Sequence, residues 1–296
     1  MSHKQRYFQI LFTASGIFLF IYLIGIDSFT SKAARPGSDA AYNGYLPILS
    51  NQVNILYSSH GLLGHSVFAE CNPGGGTNCA CSQEDASISS FTGYGEVTSN
   101  AREVNTYVNA IGFKKFIEVF PDNKPITLGV YRYSGEFRLP VLPSPDLSQR
   151  ENPQAIHLMI QFWDGRNELL PMNDQTLEGT IYWDLNPWNA DAGKIKVYAY
   201  PLDLIDTGLY LQPDTEWHRF SLVVDLNNQK FVSITIDDQT VYLSNIGLAQ
   251  VYHDDWGDDL SLSLTTESMA AWPQTDCTYI FKWTTQFRNL VFSRLD

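Results

Sequence analysis

The sequence lacks the short motifs that mark several common catalytic and nucleotide-binding sites. It has no G-x-S-x-G nucleophile elbow, no phosphate-cradling glycine loop and no dinucleotide-binding fingerprint. Its cysteines do not form the paired C-x-x-C spacing of a zinc knuckle. These absences exclude elbow-type serine hydrolases, P-loop nucleotide-binding proteins and dinucleotide-binding enzymes.

Charge is also scarce, and most of it is negative. Charged residues make up 17% of the chain and aromatic residues 14%, with a formal net charge of −13. Residues 1–33 carry +2, from Lys4, Arg6 and Lys32 against Asp27, so the remainder carries −15. Such a balance repels nucleic acid and anionic lipid headgroups, so no nucleic-acid partner is expected.

The longest uncharged apolar stretch lies at the N-terminus. "YFQILFTASGIFLFIYLIGI" runs for about twenty residues, long enough to span a bilayer, and follows a short basic flank. This flank predicts that residues 1–6 stay in the cytoplasm and that the rest is exported. Residues 1–33 are therefore expected to form a transmembrane anchor or a signal helix. Cleavage near "SKAA" at 31–34 stays open.

Four cysteines suit an exported chain. An even number of cysteines outside the cytosol favours disulfides, and four allow three connectivities. We expect Cys71 to pair with Cys79 or Cys81, and the remaining cysteine to pair with Cys277. A metal site with the histidines of "HGLLGH" is the alternative.

The pattern of the chain changes along its length. Residues 34–98 are rich in Gly, Ser, Asn and Pro without a sustained period, which indicates loop. Residues 99–296 are expected to form a β-domain, because short β-branched or aromatic segments alternate there with turn signals and no amphipathic helix intervenes. Roughly ten such strands indicate an all-β antiparallel sandwich or barrel.

Period-two alternation assigns the core face of several strands. The positions expected to face inward are Phe220, Leu222 and Val224 in "HRFSLVVD", Val232, Ile234 and Ile236 in "FVSITID", and Leu260, Leu262 and Leu264 in "LSLSLTT".

Two other strands combine an apolar face with a face of aromatic and long polar side chains. Flat rings stack on pyranoses while amides and charges bond hydroxyls, so such a face is typical of a sugar-binding groove. The alternative is that residues 34–125 simply cover it. The predicted ligand-binding residues are His157, Gln161 and Trp163 of "HLMIQFW", Lys194, Lys196, Tyr198 and Tyr200 of "KIKVYAY", and Tyr182 of "GTIYWDL".

An acidic stretch, "YHDDWGDDL", offers a candidate metal site. Its Asp254, Asp255, Asp258 and Asp259 supply the carboxylate oxygens that calcium prefers. The spacing is not that of an EF-hand loop, and a solvated acidic turn is the alternative. Calcium is the one cofactor that the sequence suggests.

A hairpin within residues 126–296 carries a resemblance to a known superfamily. Trp217 and His218 enter an apolar strand ending at Asp225, and the next strand runs into a turn at Asp237. This arrangement resembles the central hairpin of laminin-G-like and other concanavalin A-like lectin and glucanase domains, although Asp238 and Gln239 stand where glycine is frequent. "FRNLVFSRL" is similar to their last strand. The resemblance implies an antiparallel jelly-roll sandwich with a concave face that binds carbohydrate or a protein ligand.

The resemblance also raises two kinds of enzyme. Glycoside hydrolases of this superfamily carry paired carboxylates on one strand, but here the candidate acids come from four different segments: Glu136, Asp164, Glu178 and Asp184. Alginate-lyase-like members imply a Tyr, His, Gln and Arg. The corresponding residues would be His157, Gln161, Tyr198 or Tyr200, and Arg138. The candidate catalytic residues are therefore His157, Tyr198 and Asp184.

These observations predict an extracytoplasmic protein, membrane-anchored or secreted, that acts as a carbohydrate-binding or cell-surface recognition module. Its expected partners are a polysaccharide or glycan, and the membrane through the N-terminal segment. A lyase or glycoside hydrolase acting on polysaccharide at the same face is the first alternative. A structural subunit of a surface assembly, with the aromatic face buried against a partner protein, is the second.

Overall fold

The computed structural model describes most of the chain from Asn54 onward. The described residues are 54–59, 69–73, 86–101, 106–120, 122–146, 153–170, 174–253, 257–271 and 281–296. Within them the regular secondary structure consists of β-strands, and no α-helix occurs.

The strands form two antiparallel sheets of eight strands each. Sheet I contains β1 (Asn54–Ser59), β3 (Ala86–Phe91), β4 (Tyr94–Ala101), β6 (Val130–Arg138), β11 (His218–Asp225), β12 (Lys230–Ile236), β13 (Gln239–Tyr242) and β16 (Phe281–Arg294). Sheet II contains β2 (Ala69–Pro73), β5 (Thr106–Ile117), β7 (Pro153–Asp164), β8 (Gln175–Asp184), β9 (Lys194–Ala199), β10 (Asp203–Tyr210), β14 (Ala249–Tyr252) and β15 (Leu260–Ala271).

Neighbouring strands are often far apart in the chain. Sheet I has the order β13, β12, β11, β6, β16, β4, β3, with β1 also paired to β16. Sheet II has the order β10, β9, β8, β7, β15, β5, β2, with β14 also paired to β8. The predicted all-β antiparallel sandwich is thereby confirmed.

The two sheets pack face to face through their apolar sides. Phe137 of sheet I and Trp183 of sheet II bring their ring centroids to 5.4 Å. Gly179 lies so close to the opposite sheet that an added Cβ would stand 2.6 Å from Cγ1 of Val224. The inward positions of β7 are equally apolar, and all are buried: Ile156, Leu158, Ile160 and Phe162. Burial of these side chains supplies the main driving force for folding.

One predicted core position is corrected. The pairing of β11 with β12 shifts register next to Val224, which pairs with Phe231, whereas Val223 pairs with Ser233. This β-bulge brings Phe231 onto the core face, where it is fully buried, and leaves Val232 half-buried. The other eight predicted core residues are buried.

The sandwich extends further toward the N-terminus than the pattern indicated. Strands β1, β2 and β3, and most of β4, lie within residues 34–98, and they belong to both sheets. Their sequences are rich in Ser, Asn and Gly, so the composition suggests loop although the chain there pairs with longer strands such as β16. Tertiary pairing overrides this weak local preference.

The predicted N-terminal apolar helix lies outside the described residues. Among the residues that are described, no helix is long and apolar enough to cross a membrane.

Candidate functional site

The outer face of sheet II, which points away from the sandwich core, is polar and yet largely enclosed. A polar sheet face is normally exposed to solvent, and a buried sheet face is normally apolar. Buried polar side chains on this face therefore require a specific explanation. Nine polar residues of β7, β8, β9 and β15 lie on this face and are each at most 8% exposed: Gln161, Thr176, Thr180, Asp184, Lys196, Ser261, Ser263, Thr265 and Glu267.

The strand register places several of these residues in one line across the sheet. Glu267 pairs with His157, His157 with Tyr182, and Tyr182 with Lys196. Directly paired residues point to the same side of a sheet, and neighbouring strands are about 4.8 Å apart. This line of four residues, the central row, therefore crosses from β15 to β9.

A histidine, a carboxylate and a tyrosine meet within the central row. Nδ1 of His157 lies 3.0 Å from Oε2 of Glu267. The His157 and Tyr182 rings are 4.9 Å apart between centroids, and Nε2 of Gln154 donates to the Tyr182 hydroxyl at 3.3 Å. When Glu267 is ionised, Nδ1 carries the hydrogen of this contact, which leaves Nε2 of the neutral ring as an acceptor. Such a histidine can serve either in recognition or in proton transfer.

Lys196 ends the row in a buried cluster of charges. Its Nζ donates to Oδ2 of Asp191 at 2.8 Å and to Oδ2 of Asp184 at 3.2 Å. Burial opposes the charge of Lys196, but the bond to Asp191 and the charge of Asp184 outweigh it and raise the pKa of the ammonium. Burial raises the pKa of Asp184, although the charge of Lys196 acts in the opposite direction.

Asp184 is fully engaged in holding the loop that follows β8. Besides Lys196, it accepts hydrogen bonds from the backbone N–H of Asn186 at 3.2 Å and from Nδ2 of Asn189 at 2.9 Å. These bonds favour a structural role for this carboxylate over the catalytic role that the sequence suggested.

A second cluster of hydrogen-bonded polar side chains lies further along β7. Nε2 of Gln161 donates to Oε1 of Glu178 at 2.6 Å, and Oγ of Ser263 donates to Oε1 of Gln161 at 3.3 Å. Tyr198 is half-buried, and burial together with the carboxylates of Glu178 and Asp203 raises the pKa of its phenol well above the ordinary value. The Tyr198 hydroxyl therefore keeps its proton and can donate a hydrogen bond.

Three other predicted ligand-binding residues are either buried or lie at an end of their strand. Trp163 is buried, and its Nε1 donates to the carbonyl of Gly257 at 3.0 Å. Lys194, the first residue of β9, contacts Asp191 and Asp206. Tyr200 is exposed but follows the last residue of β9.

Two candidate residues lie on sheet I and do not join the others. Arg138 of β6 donates to Gln286 and lies over the Trp217 ring at 4.7 Å. Glu136 accepts hydrogen bonds from Arg288 and Asn289. Both therefore belong to a surface cluster on the opposite side of the sandwich, because β6 is part of sheet I.

Asp164, at the end of β7, is fully buried and shapes the following turn. Its carboxylate accepts the backbone N–H groups of Glu168, Leu169 and Leu170 at 3.2, 2.7 and 2.8 Å. A carboxylate with three such bonds is a turn-forming group and not an open acid or nucleophile.

The predicted calcium and disulfide sites are described only in part. Asp258 and Asp259 are described, whereas Asp254 and Asp255 are not. Within the described ranges no group of three or more His, Cys, Asp or Glu is arranged to hold a metal. The side chain of Cys71, and all of Cys79, Cys81 and Cys277, fall outside the described part, so the disulfides stay a prediction.

Sequence reasoning missed the polar residues of β15 on this face, among them Glu267 and Thr265. The alternation of "LSLSLTTE" already indicates that they point away from the leucines. The sequence does not reveal that β15 lies beside β7, because the two strands are about one hundred residues apart in the chain.

Together the fold and the site define a two-sheet antiparallel β-sandwich with a polar, partly enclosed face on one sheet. No protein-family model matches the sequence, and no curated protein matches it. Solved structures similar to it include an endo-β-1,4-glucuronan lyase from the fungus Trichoderma reesei, with 12% identity, TM-score 0.45, and coverage of 81% of this chain and 95% of the lyase.

Two further similar structures are an alginate lyase and a lectin. An alginate lyase mutant in complex with alginate tetrasaccharide has 16% identity and a TM-score of 0.41, covering 82% of this chain and 99% of that one. A basic winged bean lectin with Tn-antigen has 13% identity and a TM-score of 0.39, covering 80% and 96%.

Proposed function

We propose that this protein binds carbohydrate through the outer face of sheet II. The observation that carries the proposal is the central row, in which Glu267, His157, Tyr182 and Lys196 lie side by side. Hydrogen-bonding groups held in place by their neighbours, next to aromatic rings, suit a ligand with many hydroxyls and apolar ring faces. Tyr198 lies on β9, two residues after Lys196. It is half-buried and adds a ring that a ligand can reach.

The place of action is part of the same proposal. The uncharged N-terminal segment behind a basic flank supports export, either as a membrane anchor or as a signal that is removed. A protein exported in this way would meet polysaccharides or glycans of a cell surface. Its acidic composition is consistent with a partner other than nucleic acid.

Binding of the full chain to neutral and uronate polysaccharides tests the function. Replacement of Tyr198 by alanine should weaken binding about tenfold, which corresponds to one lost ring contact. Tyr242→Ala is the matched control, because Tyr242 lies on β13 of the other sheet and is 78% exposed. Equal binding by both variants and the wild type would place the ligand elsewhere, and an absence of saturable binding to all polysaccharides would refute the function.

A catalytic role on the same face is the second candidate. It is favoured by the contact of His157 with Glu267 and by the Tyr182 ring beside it. An oriented imidazole next to a phenol can remove a proton and return one, as elimination of a uronate polymer requires. Tyr182, not Tyr198, is the tyrosine whose ring packs on His157, so it takes the place of the phenol in this hypothesis.

Hydrolysis is less well supported by the spacing of the acids. Among the described residues of this face, Glu178, Asp184 and Glu267 are roughly 12 to 20 Å apart along and across the strands, by the usual strand dimensions. Glycoside hydrolysis brings two carboxyl groups to within about 5 to 10 Å. Each of the three is also already bonded to a neighbouring side chain.

Product analysis separates binding from catalysis. Release of unsaturated sugars from a uronate polymer by the wild type, lost in His157→Ala and in Tyr182→Phe, would establish elimination. Saturable binding without any released product would establish the recognition function instead. Tyr182→Phe keeps the ring beside His157 and removes only the hydroxyl, so it distinguishes proton transfer from packing.

A further inference from the structure

Among the residues that the structure describes, two neighbouring buried polar atoms on the outer face of sheet II have no hydrogen-bond partner. They are Nε2 of His157 and Oγ1 of Thr265. Thr265 is 1% exposed, so water does not solvate its hydroxyl from outside. A buried donor or acceptor that is left without a partner is costly, and native proteins retain few of them. Their presence within a candidate site indicates a ligand that completes the bonds.

The two atoms belong to neighbouring positions of the same face. His157 pairs with Glu267, and Met159 pairs with Thr265, so His157 and Thr265 are diagonal neighbours across β7 and β15. Diagonal pairs are about 7 to 8 Å apart at the backbone, close enough for one small group to bridge their side chains.

Hydrogen bonds confirm which side of β15 these residues occupy. Oγ of Ser263 reaches Gln161, and Glu267 reaches His157, so alternate residues of β15 share the outer face with β7. Ser268 lies on the opposite side, because its hydroxyl bonds that of Thr285 on sheet I at 3.0 Å. Thr265 stands midway between Ser263 and Glu267 and therefore points outward.

Glu267 determines which chemical group of a ligand can bind to His157 Nε2 and Thr265 Oγ1. Glu267 is 8% exposed and its Oε2 contacts Nδ1 of His157, so the hydrogen of the neutral ring is held on Nδ1 and Nε2 accepts. A hydroxyl suits this position in either state of the ring, since it can donate to neutral imidazole or accept from imidazolium. A ligand carboxylate is disfavoured so close to the negative charge of Glu267.

We infer that His157 Nε2 and Thr265 Oγ1 together bind one hydroxyl group of a neutral saccharide. In this arrangement the sugar hydroxyl donates to Nε2 and accepts the hydrogen of Thr265, while Glu267 is a positioning residue that orients the ring. The inference rests on the proposed carbohydrate-binding function and names the class of sugar that the face selects. The side chains of Met159, Glu178 and Tyr198 on this face are partly exposed. Because the two atoms themselves are buried, such side chains have to move aside to admit the sugar hydroxyl.

The test replaces Thr265 by valine, which keeps the branched shape and removes the hydroxyl. Affinity of the full chain for soluble neutral β-glucan and mannan oligosaccharides, and for oligomers of alginate and polyglucuronate, is measured by calorimetry. We expect Thr265→Val to lower the affinity for the neutral oligosaccharide that the wild type binds about tenfold. The melting temperature of the unliganded variant should be equal to or above that of the wild type, because an unpartnered buried hydroxyl has been removed.

Thr266→Val is the matched control. Thr266 is the next residue of β15, is also fully buried, and its hydroxyl also lacks a partner, but it points toward the sandwich interior. This variant should bind as the wild type does. An equal loss of affinity in both variants, or binding by Thr265→Val within twofold of the wild type, would overturn the hydroxyl site.

The outcomes separate this inference from the function on which it rests. If the wild type binds none of the oligosaccharides, the carbohydrate-binding function itself fails. If it binds a neutral oligosaccharide and Thr265→Val binds equally well, only the hydroxyl site fails. Preferential binding of the alginate or polyglucuronate oligomers would overturn the assignment of a neutral sugar.

Discussion

Replacing Lys196 by methionine would leave the buried carboxylate of Asp184 without its cation. The side chains of Lys196 and Asp184 are 8% and 2% exposed, and Asp191 beside them is 20% exposed. Removing one partner of a buried ion pair typically costs about 3–5 kcal/mol, because the remaining charge stays desolvated. Asp184 keeps its hydrogen bonds from Asn186 and Asn189, so we expect the lower end, about 3 kcal/mol.

The assay is chemical denaturation of the wild type and the variant, which should differ by about a hundredfold in the folding equilibrium constant. Lys194→Met is the matched control, because Lys194 is 38% exposed and contacts Asp191 and Asp206 at the surface. The control should lose much less stability, since exposed ion pairs contribute little.

The pH dependence gives a second readout. Burial already raises the pKa of Asp184 in the folded protein, and loss of the lysine charge should raise it further. A raised folded-state pKa favours folding at low pH, and this stabilisation is lost as the pH rises through that value. The defect of Lys196→Met should therefore be smaller at about pH 5 than at about pH 8. A variant Lys196→Met that is no less stable than Lys194→Met, or a defect that does not change with pH, would contradict this role of Lys196.

Two further predictions concern packing and acid stability. Gly179→Ala should lower the free energy of unfolding by about 1–3 kcal/mol, measured in denaturant, because the new Cβ would lie 2.6 Å from Cγ1 of Val224. Gly247→Ala is the control and should lose much less stability, because its new Cβ would lie 3.4 Å from the nearest atom. Equal losses in the two variants would contradict the tight contact at Gly179. Hydrogen bonds from Lys194 and Lys196 lower the pKa of Asp191 from 3.8 to about 2. The contribution of this carboxylate to folding stability is therefore present above about pH 3.8 and is lost as the pH falls toward 2. Asp191→Asn should flatten the acid limb of the stability profile, and an unchanged limb would show that other groups dominate it.

Alternation along single strands predicted the core faces well. Phe220, Leu222 and Val224 are buried as expected, because a strand with one apolar face has to present that face to the core. The exception at Val232 has a physical cause in the β-bulge, which depends on how two strands pair and not on either strand alone.

The sequence predicted part of the candidate site, namely which residues of a single strand share a face, but not which strands lie together. His157 and Gln161 were assigned to one face from the period of β7, and the structure places both on the outer face of sheet II. Arg138 was grouped with them by residue type, although β6 belongs to the other sheet. Trp163 was expected to be open for stacking, but its side chain is buried and its Nε1 donates to the carbonyl of Gly257.

The amino-acid sequence alone indicated that the β-domain is built from strands, and it indicated which side of most strands is apolar. Those properties follow from local composition and from the two-residue period. Only the tertiary structure decided that β15 lies beside β7, which brings Glu267 to His157 and leaves Thr265 next to both. Pairing between distant strands depends on the packing of the whole sandwich, so no local pattern specifies it.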